Sequence, residues 1–212
     1  DVATEPLSVL DRMNRAVRNC RFLAVLEISV TAKLLLREPH LVKAAILNAP
    51  LFELNTGYFG SFLAKGLATS LEWAGRGKKY APGFSDYDPS KAVFASNRSC
   101  ASAERFEAYR RVLDANPSLA LGGPSAHWVR ETFKETSRAQ VKKLGRAATI
   151  PILLYQAGID RLVLPGGQNI FCAAAPNCKI RPYPTAHHEI WRDVDAIRAD
   201  ALGRLVLFFN EG

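Results

Sequence analysis

Short apolar runs alternate with polar and helical segments along most of this chain. Residues 22–30 form an apolar run interrupted only by Glu27, and residues 41–49 form a second run that ends before Pro50. Two further runs, residues 150–158 and 179–183, follow in the last third. Runs of this length bounded by Gly or Pro are typical of buried strands. Strands separated by helical segments indicate an α/β fold with a mostly parallel sheet.

Apolar residues at helical spacing predict the helices. These helices cover residues 7–21, 31–37, 61–74, 104–115, 125–144 and 190–209. The stretch 75–102 is polar and rich in Gly and Ser, so it is predicted to be a loop. The last helix closes the fold, and its apolar stripe is expected to face the sheet. That stripe consists of Ile197, Leu202, Leu205 and Phe209.

A change in composition after Pro50 and again at Thr149 predicts three regions. We expect residues 1–50 and 149–212 to build the sheet core, and residues 51–148 to form a helical insertion. The apolar side chains of the insertion either line a pocket or pack the insertion onto the sheet. They are Phe59, Phe62, Leu63, Leu67, Trp73, Trp128 and Phe133.

The composition fits one globular domain with a sizeable core, because 48% of the 212 residues are hydrophobic and 23% are charged. No apolar run is long enough to span a bilayer, and the first residues given do not have the pattern expected of a secretory segment. The first residue is Asp1 rather than Met, so we expect the natural start to lie upstream or to have been removed. The expected location is cytoplasmic or peripheral to the inner membrane.

The net charge of +8 favours either attraction to anionic surfaces or an ordinary solvated basic surface. Within residues 130–146, basic side chains outnumber the two acidic ones, Glu131 and Glu135. This segment is therefore the best candidate for contact with an anionic membrane. Its cations are Arg130, Lys134, Arg138, Lys142, Lys143 and Arg146. No recognition motif for nucleic acid is present, so we expect no nucleic-acid partner.

The four cysteines are Cys20, Cys100, Cys172 and Cys178. None forms a C-x-x-C pair, and no Cys/His cluster has the spacing of a zinc site. We therefore expect free thiols in a reducing compartment and no metal. A disulfide between Cys172 and Cys178 is the alternative.

Polar residues follow two of the predicted strands at the points where the strands end. Asp160 comes directly after residues 150–158, and the pair His187 and His188 follows residues 179–183. In an open parallel sheet, ligands bind outside the carboxyl ends of the strands, so an acid and a histidine can meet there. A carboxylate fixes the tautomer of an imidazole and stabilises its protonated form.

These segments resemble the acid and histidine segments of α/β-hydrolases in the lysophospholipase L2 and monoacylglycerol lipase branch, which are serine aminopeptidase S33-type hydrolases. The matching positions are Pro151-Ile152-Leu153-Leu154, Gln156-Ala157-Gly158, Asp160 and Val163, then Ala186, His188, Glu189 and Ile190. Residues 45–52 and 121–131 also resemble this branch. The resemblance extends from about Arg37 to the C-terminus. It implies an incomplete α/β-hydrolase fold in which residues 51–148 form a helical cap over a lipid pocket.

The resemblance implies that Asp160 is the triad acid and His188 the catalytic histidine of an ester hydrolase, and that the two lie within hydrogen-bonding reach. The implied substrate is a lysophospholipid or monoacylglycerol, with no metal or organic cofactor. Trp128 is expected near the site. His187 is expected to be a solvent-exposed loop residue, and Glu189 to support the loop or cap the helix. Two further histidines, His40 and His127, are interpreted as structural.

The serine nucleophile of this family lies in a G-x-S-x-G turn between a strand and a helix, and the chain contains no such motif. One alignment makes Ser29 the nucleophile, with Glu27 and Thr31 in place of the glycines, and another places Val25 there. The loop with the second oxyanion donor would precede Asp1. We therefore expect these residues to form a poor esterase or none. A non-catalytic member that binds lipid or a partner chain is the alternative function.

Overall fold

Three parallel strands form the sheet in a computed structural model that describes residues 43–210. They are β1 (Ala45–Asn48), β2 (Ile152–Ala157) and β3 (Cys178–Tyr183), in that order across the sheet. All three correspond to strands predicted from the apolar runs. Other predictions lie outside the described residues: the helices at 7–21 and 31–37, the strand at 22–30, and Cys20, Val25, Ser29 and His40.

Successive side chains of a strand point to opposite faces, and helices cover both faces of this sheet. On one face, Leu154 packs in a buried cluster with Phe52 and Phe171. On the other, the ring of Tyr155 packs edge-on against Tyr183, with ring centroids 5.4 Å apart. Burial on both faces explains why the strands appear in the sequence as nearly continuous apolar runs.

Six α-helices lie within residues 43–210. They are α1 (Gly60–Trp73), α2 (Ala103–Ala115), α3 (Ala126–Glu135), α4 (Arg138–Ala147), α5 (Pro165–Ala174) and α6 (Asp195–Asn210). The hydroxyl groups of Ser102 and Ser125 accept backbone N–H groups and cap α2 and α3. In this part of the chain, no helix combines the length and the apolarity needed to cross a membrane.

The single helix predicted over residues 125–144 is wrong, because the structure has two helices with a break at Thr136 and Ser137. Ser137 adopts an extended backbone with ψ of 142°, which ends the helical path. The hydroxyl of Thr136 donates to the carbonyl of Thr132 at 2.8 Å, alongside the backbone N–H of Thr136. Hydroxyl side chains that compete for backbone groups in this way favour helix ends over helix interiors.

Two further differences concern the C-terminal region. The predicted closing helix begins at Asp195 rather than at residue 190, and a 3-10 turn over Ile190–Arg192 precedes it. Helix α5 was absent from the predicted helices. It begins with Pro165, whose fixed φ suits the first helical position. Gly166 and Gly167 occupy its first turn and its apolar residues, 170–174, are consecutive, so the sequence has no apolar stripe at helical spacing there.

Helix α4 packs against α5 and contributes Val141 and Leu144 to the core under the sheet. The division at residue 148 between cap and core stays a prediction. Six of the seven apolar side chains considered for the insertion are exposed, so they do not pack it onto the sheet. These six are Phe59, Phe62, Leu63, Leu67, Trp73 and Trp128. Phe133 is partly buried against Ala68 and Val129.

Cys172 on α5 and Cys178 on β3 form a disulfide. The prediction of free thiols is therefore wrong for this pair, and the alternative pairing is the one observed. The short connection from α5 to β3 brings the two Cα atoms to 5.1 Å, within the range that a disulfide spans. Cys100 is a free, buried thiol.

Candidate active site

The loops that follow β2 and β3 are joined by backbone hydrogen bonds. The N–H of Gly158 donates to the carbonyl of Tyr183, and the N–H of Ile159 donates to the carbonyl of Ala186, both at 2.9 Å. A methyl group on Gly158 would lie 2.2 Å from the carbonyl oxygen of Pro184. Only glycine permits this close approach. The approach holds the loop that carries Asp160 against the loop that carries His188.

Asp160 and His188 are in direct contact at this edge of the sheet. Oδ2 of Asp160 lies 2.8 Å from Nδ1 of His188, and their side chains are 3% and 9% exposed. Oδ1 of Asp160 accepts the backbone N–H groups of Leu162 and Val163, at 2.8 and 3.0 Å. The carboxylate is thus held on both oxygens, so it fixes the ring orientation of the histidine.

Asn48, at the end of β1, also reaches the histidine loop. Its Nδ2 donates to the carbonyl of His188 at 3.4 Å, so the ends of all three described strands meet at this histidine. Its Oδ1 is buried without a hydrogen-bond partner among residues 43–210. The next residue, Ala49, has a positive φ of 39°. Sequence reasoning did not select Asn48, although a polar residue at the end of an apolar strand was a usable signal.

Asp193 is a second organising residue that the sequence prediction missed. It is fully buried, and its carboxylate accepts the N–H groups of His187 and Val194, each at 2.7 Å. Its carbonyl accepts Nη1 of Arg105 at 2.8 Å, which ties the histidine loop to α2. A buried carboxylate that satisfies nearby backbone donors stabilises the loop conformation.

Three other candidate residues, His187, Glu189 and His127, make separate contacts. His187 is partly buried rather than solvent-exposed, and its backbone N–H donates to the carboxylate of Asp193. The N–H of Glu189 donates to the carbonyl of Ser99, and its side chain makes no capping bond to the 3-10 turn that follows. Nδ1 of His127 lies 3.1 Å from Oε1 of Glu72, so this histidine has an acidic neighbour.

A cluster of polar groups lies between β3 and α6, beside the histidine loop. The carboxylate of Asp200 accepts from Arg204, Tyr183 and Arg181, at 2.8, 2.9 and 3.3 Å. The hydrogen bond from Arg204 lowers the pKa of Asp200. Burial, followed by the hydrogen bond to Asp200, raises the pKa of Tyr183 to about 12. Burial also raises the pKa of Tyr155.

A buried imidazole oriented by a carboxylate can act as a general base and then as a general acid. The candidate nucleophile Ser29 lies outside the described residues. No group of three or more His, Cys, Asp or Glu side chains in residues 43–210 is placed to hold a metal ion.

The sequence profile of one protein family matches residues 29–195, which include Asp160 and His188. The family is described as "Serine aminopeptidase, S33". The chain belongs to the serine aminopeptidase S33 family. The resemblance inferred from the strand and loop motifs is therefore confirmed.

Lysophospholipase L2 of Escherichia coli (strain K12) is similar in sequence to this chain, with 31% identity over 191 residues. The match covers 86% of this chain and 54% of that protein. The chain thus spans about half the length of the curated relatives it matches.

Solved structures show the same fold at lower sequence identity. A variant of monoglyceride lipase from Saccharomyces cerevisiae has a TM-score of 0.58 and 16% identity, covering 86% of this chain and 61% of that one. The monoacylglycerol lipase of Paleococcus ferrophilus has a TM-score of 0.56 and 17% identity, covering 84% and 63%. These similarities establish an α/β-hydrolase fold, whose parallel sheet and flanking helices are those described above.

Proposed function

We propose that this chain is the part of a lysophospholipase-like carboxylic ester hydrolase that carries the acid and the histidine of a Ser-His-Asp mechanism. The observation that supports the proposal most is the 2.8 Å contact between Asp160 Oδ2 and His188 Nδ1 in a buried loop pair at the carboxyl edge of the sheet. The match to lysophospholipase L2 of Escherichia coli supports single-chain lipid esters as the substrate class.

In this mechanism the Nδ1–H of His188 donates to Asp160, and Nε2 is the atom that handles the proton. The serine hydroxyl oxygen attacks the ester carbonyl while its proton passes to Nε2. The leaving alcohol then takes that proton, and an acyl-enzyme forms. Water attacks the acyl group in the second half of the reaction and gives its proton to Nε2. Nε2 returns this proton to the serine oxygen as the bond to the acyl group breaks, so the free fatty acid leaves and the serine is restored. Asp160 stabilises the imidazolium formed in each half.

The experiment uses the purified 212-residue protein with lysophosphatidylcholine and a short-chain nitrophenyl ester. The variants Ser29→Ala and His188→Ala are compared with the unmodified chain. Turnover above background that is lost in both variants would assign Ser29 as the nucleophile. Turnover lost only in His188→Ala would point to another serine, and turnover retained in His188→Ala would contradict the proposed mechanism.

A non-catalytic, lipid-binding member is the second candidate function. The observation that favours it is the absence of G-x-S-x-G, with Glu27 and Thr31 flanking Ser29. When a triad residue is removed from a serine protease, the reaction remains only about 10³–10⁴-fold faster than the uncatalysed reaction in water. Turnover near background in all three proteins, with lipid still bound, is the result expected for this function.

We further propose that the basic face of α4 contacts anionic membrane. Lys142, Lys143 and Arg146 surround an open surface cavity of about 460 Å³ on this helix. Cations near an anionic leaflet each contribute on the order of 1 kcal/mol to binding. Co-sedimentation with phosphatidylglycerol vesicles should be weaker for the double variant Lys142→Gln/Lys143→Gln, and equal sedimentation would contradict this contact.

A further inference from the structure

Arg105 lies on α2, in the predicted insertion, and its side chain reaches the segment that follows His188. Its Nη1 donates to the carbonyl of Asp193 at 2.8 Å, and its Nη2 forms an ion pair with the carboxylate of Asp195, the first residue of α6. The side chain of Asp195 is 90% exposed, and ion pairs in water contribute little. The hydrogen bond to the buried Asp193 is therefore the contact that fixes this segment against α2.

Arg192 makes the reciprocal contact, from the turn after His188 back to α2. Its Nη2 donates to the carbonyl of Arg105 at 3.4 Å, and its guanidinium carbon lies 4.4 Å from the ring centroid of Tyr109. A guanidinium over an aromatic face is attracted by the negative charge of that face. The turn and α2 thus each supply an arginine that binds the other element.

A backbone hydrogen bond joins the same two parts of the chain just before α2. The N–H of Glu189 donates to the carbonyl of Ser99 at 2.7 Å. Oδ1 of Asn97 in turn accepts the N–H and the hydroxyl of Ser99, at 3.0 and 2.8 Å, which fixes the conformation of this segment. The residue directly after His188 is therefore attached to the predicted insertion as well.

Asp193 connects the Arg105 contact to the histidine. Its buried carboxylate accepts the backbone N–H of His187 at 2.7 Å, while its own carbonyl is the group that Arg105 binds. His188 is the next residue, and its Nδ1 lies 2.8 Å from Oδ2 of Asp160. Because hydrogen bonds weaken steeply beyond about 3.2 Å, a displacement of this backbone by about 1 Å would break that contact.

We propose that Arg105 is a positioning residue for His188. It holds Asp193 where the carboxylate fixes the backbone of His187, and this backbone presents the imidazole of His188 to Asp160. The position of α2 therefore determines whether the acid and the histidine are in contact. The importance of that contact for catalysis rests on the proposed function, whereas the contact itself is measurable in a protein without turnover.

The test compares Arg105→Gln with the unmodified chain by NMR. The ring-nitrogen resonances of His188 report its tautomer, and exchange of its Nδ1 proton with water reports how often the contact with Asp160 opens. Loss of a charge-assisted hydrogen bond should raise the open population, and with it the exchange rate, about tenfold. Arg105→Lys keeps one charged donor and should exchange at an intermediate rate. His188→Ala assigns the resonance by its disappearance.

The matched control is Arg110→Gln. Arg110 also lies on α2, but the acids that it contacts, Glu107 and Asp114, belong to the same helix. We expect this variant to keep the exchange rate of the unmodified chain. The backbone amide of Leu154, in the buried centre of β2, monitors unfolding of the whole chain. A local effect is one that accelerates exchange of the Nδ1 proton more than exchange of this amide.

Four results would overturn the proposal. They are a missing Nδ1 proton resonance in the unmodified chain, equal Nδ1 exchange in Arg105→Gln and the unmodified chain, equal acceleration in both arginine variants, and acceleration matched by the Leu154 amide. Retained ester turnover in His188→Ala would contradict the proposed function alone, because none of the NMR measurements depends on turnover.

Discussion

Asp160 contacts His188 through Oδ2 and closes its own turn through Oδ1, which accepts the N–H groups of Leu162 and Val163. One carboxylate therefore orients the imidazole and holds the loop that follows β2. Substitutions at Asp160 consequently act on the stability of the loop as well as on the histidine.

Replacing Asp160 with Ala removes the acceptor of two backbone N–H groups. We expect the free energy of unfolding to fall by about 1–3 kcal/mol, the cost of leaving a buried donor unpaired. Asp160→Asn keeps one acceptor oxygen and should lose less. Urea denaturation measures both. The control is Asp114→Ala, since Asp114 is half-exposed and its Oδ2 lies 3.9 Å from Nη1 of Arg110. This variant should change the free energy of unfolding by no more than about 0.5 kcal/mol. Equal stability of Asp160→Ala and the unmodified chain would refute the dual role of Asp160.

Gly158→Ala should disturb both the sheet edge and the site, because the new methyl group would meet the carbonyl of Pro184 at 2.2 Å. Forcing an extra group into a packed position costs about 1–3 kcal/mol. The matched control is Gly203→Ala on α6, where an added methyl meets nothing within 4 Å. That change should instead stabilise the helix by about 0.5–1 kcal/mol. Thermal unfolding compares the two, and the same direction of change in both would contradict this packing argument.

Reduction of the Cys172–Cys178 disulfide should destabilise the chain, since it frees a closed loop with a sequence separation of 6. The loop-closure relation gives roughly 2 kcal/mol for so short a loop. We expect urea unfolding of the natural sequence to shift to lower denaturant when dithiothreitol is present. The double variant Cys172→Ser/Cys178→Ser should not respond to dithiothreitol. An unchanged midpoint for the natural sequence would restore the free-thiol prediction.

Tyr183 should make the fold sensitive to alkaline pH. Its folded pKa of about 12 exceeds the unfolded value of about 10. A group with a raised folded pKa contributes stability that is fully present below the unfolded pKa and is lost as the pH rises through the folded pKa. The free energy of unfolding should therefore fall between about pH 10 and 12, by an amount on the order of 2–3 kcal/mol.

The variant Tyr183→Phe should lose less of its free energy of unfolding at alkaline pH. Tyr155, whose pKa is also raised, still contributes to the loss of stability there. At neutral pH the variant lacks the hydrogen bond to Asp200, so its free energy of unfolding should be about 1 kcal/mol lower. Tyr58→Phe is the control, because Tyr58 is fully exposed. Denaturant unfolding at several pH values measures all three proteins. Identical pH profiles for Tyr183→Phe and the natural sequence would exclude this role.

The strands and the Asp160–His188 contact were predictable from sequence because their signals are local. Apolar runs ended by Gly158 or Pro50 mark strands whatever surrounds them. Parallel strands bring their carboxyl ends to one edge, so an acid after β2 and a histidine after β3 were expected to meet. The distance of 2.8 Å between them agrees with that expectation, and the catalytic role of the pair stays a proposal.

Other features were decided by tertiary structure, because they depend on residues far apart in the chain. Asn48 reaches the histidine loop only because β1 lies beside β2, which is more than 100 residues later in sequence. Apolar periodicity continues through residues 125–144, so it could not locate the break at Ser137. That break lets α4 turn Val141 and Leu144 under the sheet.

Cysteine spacing alone left the state of Cys172 and Cys178 open, and the packing of α5 on β3 decided it by bringing the two thiols together. A surface cavity lined by Phe52, Lys65, Phe133 and Leu164 likewise has no pattern in the sequence, because its walls come from four separate segments. The sequence by itself determined the three described strands and the pair at the sheet edge, since their causes lie within a few residues. Tertiary structure decided which distant side chains share a surface, since only packing brings them within contact distance.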